Sequence, residues 1–193
     1  MVKSSENANN LKAKLVEVAV AELAKPRALK LPTMRDLASG AGVAPGAAYR
    51  HFDSQEELFL TVILYLFTEM EGALKRAVSK LESSEGKAAA MAHAYVEWGT
   101  SNAGAYQLIL ETTDEKTVLE SGQRAGLHLI AELSALLSET GEPTQASTKK
   151  AIQLWTALHG IVSLRNHKTG MPWTNTAAEQ VDDLLKLFIS GGE

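Results

Sequence analysis

From Leu11 to Phe188 the apolar residues return at every third or fourth position and nowhere alternate. A chain with only that period can bury its hydrophobic side chains solely by packing helix on helix, so an all-α fold of about nine helices is expected. Leu11, Leu15, Val18, Ala19 and Leu23 form the first stripe, after an Asn-rich start that can cap it and before Pro26, which stops it. Thr33 can cap a second helix of roughly two turns, with Asp36 three residues on, Leu37 and Ala38 facing inward and Gly42 breaking it. Pro45 suits the first position of a third short helix, which is expected to end near Phe52.

Asp53 and Ser54 follow, with Glu57 completing a Ser-x-x-Glu capping box for a long fourth helix. Its stripe is Leu58, Val62, Leu66, Met70, Ala73, Ala77 and Leu81, and it yields to the break "ESSEG". Beyond come "KAAAMAHAYVEWGT", "AGAYQLIL", "KTVLESGQRAGLHLIAELSALLSE", the break "TGEP", "STKKAIQLWTALHGIVSLRNH" and "TAAEQVDDLLKLFIS", all helical in pattern. The division predicted is a helix-turn-helix domain over 1–54, joined by the long helix to a second helical domain over 55–193.

Two short helices across a Gly turn, with a third helix behind them, make the arrangement whose second member enters the DNA major groove. That groove is about 12 Å wide, close to the width of a helix with its side chains, so small residues let the backbone approach the bases. Gly46, Ala47 and Ala48 supply that clearance, behind Ala44 and Pro45 as further DNA-facing candidates, and Tyr49, Arg50 and His51 follow as hydrogen-bonding groups. Tyr49 and His51 suit phosphate oxygens, while Arg50 suits either a phosphate or a guanine edge. Thr33 and the N–H groups at the start of the second helix are further phosphate candidates. Phe52 is expected to pack inward. Lys12 and Lys14 read as a solvated face, with a phosphate role as the alternative.

Charge supports that placement weakly. Residues 1–58 carry 8 Lys+Arg against 7 Asp+Glu, and the remainder 11 against 16, within a net charge of −4. With 45% hydrophobic and 22% charged residues, the composition is that of a globular domain rather than a disordered or fibrous one. There is no cysteine, which removes disulfides, thiolate metal sites and a thiol nucleophile. His51, His93, His128, His159 and His167 show no metal-ligand spacing, and no Gly-x-Ser-x-Gly elbow or phosphate-cradling glycine loop occurs. The expectation is therefore no enzyme, no metal and no cofactor. The apolar run "LVEVAVAELA" is cut by Glu17 and Glu22, so neither a signal peptide nor a membrane span is expected and the predicted location is the bacterial cytoplasm.

The run "MRDLASGAGVAPGAAYRHFDSQEELF" resembles the N-terminal DNA-binding domain of the TetR family of bacterial transcriptional repressors, whose pattern is roughly A-G-V-S-x-G-x-L-Y-x-H-F-x-x-K-E-E-L. Ala44 stands where that pattern has a capping Ser, Ala48 where it has an apolar branched residue, and Gln55 where it has a Lys that touches phosphate. "LWTALHGIVSL" is similar to the Trp-x-x-x-His-Gly signature of one class of C-terminal domain in the family. The resemblance implies a homodimer that binds a palindromic double-stranded DNA operator, associates with the nucleoid when bound, and leaves it when a small-molecule effector enters the C-terminal domain. It also implies a dimer interface of four helices built from 146–167 and 176–190.

Taken from the residues alone, Ile152, Trp155, His159 and Val162 share a face, and Val181, Leu184, Leu185 and Phe188 form a matching stripe that a two-fold dimer would bury. His159 reads first as a satisfied core histidine. Met91, Tyr95 and Trp98 also share a face, and Phe67, Tyr106, His128 and Trp155 are candidates to join them around a pocket for a mainly apolar or aromatic effector. Ordinary core packing is the competing reading for each. Gly122, Ala125 and Gly126 thin one helix, chiefly for packing. The alternative function is a dimeric small-molecule-binding protein with weakened or lost DNA binding.

Overall fold

The computed structural model describes residues 2–23, 32–112, 125–138 and 141–188, with side chains placed for 10–22, 32–111, 129–138 and 141–188. Among these residues there are nine α-helices and no strand: α1 (Val2–Leu23), α2 (Met34–Gly40), α3 (Pro45–Ala48), α4 (Gln55–Val78), α5 (Ser84–Ser101), α6 (Ala103–Tyr106), α7 (Ala125–Leu136), α8 (Gln145–His167) and α9 (Ala177–Phe188). A π-helix, Gln107–Thr112, continues α6. Pro26, Gly122 and Ser190 lie outside the described residues, as do the side chains of Ala125 and His128. Among the described residues no helix is long and apolar enough to cross a membrane.

Two compact units divide the chain. The first comprises Met1–Thr68 and Ala103–Ser121, the second Glu69–Asn102 and Gly122–Glu193.

In the first unit α2 packs on α1 and α3, and α6 packs on α1. Leu15, Ala19, Met34, Leu37, Ala38, Phe52, Leu58 and Val62 are buried there. The start of α2 is capped as expected: Asp36 N–H donates to Thr33 Oγ1 at 3.2 Å, and Thr33 N–H donates to Asp36 Oδ2 at 2.9 Å. Its end is a Schellman motif, in which Val43 N–H donates to the Ala38 carbonyl at 2.9 Å and Gly42 N–H to the Ser39 carbonyl at 3.0 Å. That motif needs a left-handed residue, and Gly42 supplies it with φ +72°.

The expected third helix is shorter than predicted. It closes at Ala48, and Arg50 and His51 continue it only as a turn, donating to the Ala47 and Ala48 carbonyls three residues back.

The start of α4 also departs from the expected box. Glu57 N–H donates to Ser54 Oγ at 3.1 Å, but the Glu57 carboxylate reaches Asp53 N–H, at 2.7 Å. Further along, Leu58, Val62, Leu66 and Met70 are buried, yet the stripe continues through Leu74 while Ala73 and Ala77 are half-buried. Leu81 lies past the helix end and is exposed, because the helix stops at Val78. The expected break falls at residues 79–83, and "ESSEG" spans its end and the start of the next helix: Ser83 caps α5, accepting from Gly86 N–H at 3.1 Å.

In the second unit α5, α7 and α9 pack on α8, and α5 also meets α7 and α9. Met91, Tyr95, Val96, Leu133, Leu154, Leu158, Val162 and Val181 are buried. The α7–α8 joint is polar yet buried, with Ser134 Oγ 2.9 Å from both Ser147 Oγ and Thr148 Oγ1. Buried hydroxyls need such partners. Arg165 clamps the turn before α9, donating to the Asn175 carbonyl at 2.6 Å and to Gln180 Oε1 at 2.9 and 3.0 Å, with its guanidinium 4.5 Å from the Trp173 ring centroid. His93 Nε2 lies 2.8 Å from Asp182 Oδ1, tying α5 to α9.

Candidate nucleic-acid interface

The short helix α3 is held from below and open above. Ala47 and Ala48 are buried, whereas Ala44, Pro45, Gly46, Tyr49 and Arg50 are exposed and His51 is half-buried. Tyr49 leaves 58% of its surface in solvent, unusual for so large an aromatic group unless something covers it. This revises the expected source of thinness. One turn of helix has room for a single inward arc, and Ala47 and Ala48 occupy it against α2, so neither presents its methyl outward. The clearance belongs to Gly46, where an added Cβ would meet nothing within 4 Å. Among the described residues no neighbour requires a glycine there.

Pro45 opens α3 with a residue that has no N–H to satisfy, but Ala44 gives it no side-chain cap. Thr33 and Arg35 are exposed at the start of α2, with Thr33 already engaged in its own cap. The exposed surface of the module therefore runs over Thr33, Arg35, Ala44, Pro45, Gly46, Tyr49 and Arg50. Arg35 had no motif to mark it in the sequence.

The other predicted residues are distributed more widely. Phe67 and Tyr106 are buried in the first unit; Met91 and Tyr95 are buried in the second, where Trp98 and Trp155 are half-buried. Trp98 lines an open groove of about 510 Å³ with Ala73, Arg76, Ala94 and Glu97. The stripe on the last two helices splits. Val162, Val181 and Leu185 are buried within the second unit, while Ile152 is exposed and Trp155, His159, Leu184 and Phe188 are half-buried. Val162 turns away from Ile152 and His159 because α8 carries three faces: a core face through Leu154, Leu158 and Val162, a side bearing Ile152, Trp155 and His159, and an outer one. No sequence signal sets the outer face apart. Ala157, Gly160, Ile161 and Leu164 of α8 and Gln180, Leu184 and Leu187 of α9 line an open apolar groove of about 380 Å³, with Leu164 and Leu187 46% and 73% exposed.

Among the described residues no group of three or more His, Asp or Glu side chains could hold a metal ion. The exposed module, by contrast, has clear relatives. The profile "Bacterial regulatory proteins, tetR family" matches residues 18–62, and "Tetracyclin repressor-like, C-terminal domain" matches residues 88–188. Among solved structures, a protein of unknown function from Rhodococcus sp. RHA1 superposes with a TM-score of 0.75 at 24% identity, over 94% of each chain. A TetR-like transcriptional regulator from the same organism gives 0.72 at 18% identity, covering 94% of this chain and 96% of that one. The transcriptional regulator FadR from Bacillus subtilis, in complex with stearoyl-CoA, gives 0.72 at 14% identity, covering 94% and 99%. With both of its halves matched by the family's profiles, the chain belongs to the tetR family of bacterial regulatory proteins, non-enzymatic DNA-binding regulators of transcription.

Proposed function

We propose that the protein is a ligand-responsive repressor that binds a palindromic operator as a homodimer and is released by a small, mainly apolar or aromatic effector. The observation that carries the DNA half of this reading is the exposed run Ala44–Pro45–Gly46 followed by exposed Tyr49 and Arg50, on a helix whose Ala47 and Ala48 anchor it inward. A glycine with no packing neighbour among the described residues, near an exposed arginine, suits close approach to base edges. Arg50 reads a base or holds a phosphate, while Thr33, Tyr49 and His51 position the module on the backbone.

The outer groove between α8 and α9 supports the homodimer. Exposed Leu164 and Leu187 beside Gly160 form an apolar surface that a second copy related by a two-fold axis would cover. Functionally the chain divides into an operator-binding part, 1–54, and an effector-binding and dimerising part, 55–193. The effector class rests on the apolar and aromatic character of Phe67, Met91, Tyr95, Trp98, Tyr106 and Trp155, with His128 as a further candidate. A fatty-acyl compound of the kind bound by the Bacillus subtilis regulator falls within that class. Ligand response requires an element shared by the two functions, and α6 with its π-helix suits that part: it lies in the first unit against α1, within the stretch matched by the C-terminal profile. π-helical turns recur at functional positions.

The test is fluorescence anisotropy against pooled fragments flanking the protein's own gene, with Arg50→Ala as comparison. Tight binding of one palindromic fragment, with the preference relaxed by about 1–3 kcal/mol in R50A, supports the reading. Uniform, weak binding abolished by salt refutes operator recognition and favours the binding protein without a DNA role, to which the uncapped Ala44 start of α3 lends support.

A further inference from the structure

Lys12 of α1 occupies a defined position at the joint between the α3 turn and α4. Its Nζ lies 4.9 Å from the centroid of the Phe52 ring and 4.0 Å from Glu57 Oε1. Phe52 itself has no exposed surface and directly follows Tyr49, Arg50 and His51. The other oxygen of Glu57 accepts from Asp53 N–H at 2.7 Å, so the carboxylate is held by the backbone, and Lys12 stands between that carboxylate and the ring. The Lys12 side chain nevertheless remains 44% exposed.

From this geometry we infer that Lys12 is a DNA-phosphate contact, supplied from α1 to the joint that follows α3. The inference rests on the reading of α2 and α3 as the operator-binding module. Around the joint stand Asp53, Glu56 and Glu57, with uncharged Gln55 between them. A phosphate strand passing Tyr49 and Arg50 toward α4 meets that negative charge unless a cation stands in front of it. An exposed Lys–Glu pair adds little to stability, so its ammonium is free to exchange a carboxylate for a phosphate. With its ammonium already placed over the Phe52 ring, it loses less freedom on doing so than a wholly solvated lysine. Lys14, two residues on, lines instead a cleft with Asn10, Leu11, Ala41 and Val43 on the side of the α2–α3 turn.

The test needs no operator, because phosphate contacts are independent of sequence. Anisotropy with a labelled mixed-sequence duplex of about 30 base pairs, roughly three turns, between about 50 and 200 mM salt gives the slope of log K against log salt. Lys12→Met, which keeps the packing on Phe52, is expected to make the slope shallower by about 0.9 per bound protomer, while Lys12→Arg and Lys14→Met leave it unchanged. Glu57→Gln retains an acceptor for Asp53 N–H and removes the competitor, so binding tightens severalfold, a gain that disappears when combined with Lys12→Met. Should Lys12→Met fold poorly, Glu57→Gln alone decides: no tightening overturns the inference. An unchanged slope in Lys12→Met, or an equal loss in Lys14→Met, overturns it too while leaving the DNA-binding module standing. If the unmutated protein does not bind the duplex at all, both fall together.

Discussion

Replacing Gly40 by alanine is expected to destabilise the protein although alanine is the better helix former. Gly40 is the last residue of α2, and a Cβ built on it would lie 2.6 Å from Val18 Cγ1 of α1, with Val18 Cγ2 and Cβ at 3.7 and 3.8 Å. Carbon atoms rest at about 3.5–4.0 Å, so the two groups must part by about 1 Å. Valine in a helix has one strongly preferred rotamer, which leaves the helices to move rather than the methyl. Overpacking of this kind costs about 1–3 kcal/mol, and the helix-propensity gain of up to about 1 kcal/mol offsets part of it, giving a net loss near 1–2 kcal/mol. For a chain of 193 residues that corresponds to a Tm lower by roughly 2–8 °C. The decisive assay is a urea-denaturation double-mutant cycle with Val18→Ala, which removes the offending methyl. In that background Gly40→Ala becomes neutral or stabilising, and the coupling is about 1–3 kcal/mol at constant m. Additivity within about 0.5 kcal/mol would refute the close approach as the reason for glycine.

Ala44→Ser supplies the cap that α3 lacks at an exposed, extended position. The Ala47 N–H is already bonded to the Ala44 carbonyl, at 2.9 Å, so the gain lies at the lower end of capping effects, about 0.5–1 kcal/mol, read as a higher urea midpoint. The Glu179 carboxyl is held below its ordinary range by Thr176 N–H and the Thr176 hydroxyl. Because the folded value is depressed, this stabilisation is full above the ordinary carboxylate value and is lost as pH falls through the folded one. Glu179→Gln is therefore expected to flatten the acid limb of a urea-midpoint titration; an acid limb parallel to the unmutated protein's would count against the cap. Leu187→Glu, at the exposed rim of the α8–α9 groove, is expected to shift the species seen in sedimentation from dimer to monomer without lowering helicity. A dimer that persists excludes that groove as its interface.

Much of the first unit is legible residue by residue. Thr33 with Asp36, Gly42 after α2 and Pro45 at the first position of α3 are local signals, each decided by backbone groups within a few positions, and each is found as read, as is the inward Phe52. The start of α5 at Ser84, ahead of the pattern that begins at Lys87, is not legible because serine and glycine serve caps as well as breaks, and only the Ser83–Gly86 bond separates the two. The π-helix at Gln107–Thr112 has no residue that announces it, since a widened turn is a compromise between packing partners and not a preference of glutamine or leucine.

The chain's own order of residues thus determined the helical class, the helix-turn-helix module and most helix starts and stops, because caps, glycine turns and proline act over four or five residues. The tertiary structure alone decided which arc of each helix is covered. Ala47 points inward and Gly46 outward, Val162 joins the core while Leu164 stays in solvent, and Lys12 meets Phe52 and Glu57 from positions far away in the sequence. Periodicity gives a helix an apolar side, but the width of that side and the neighbour that fills it depend on elements distant in sequence, whose positions no local pattern encodes.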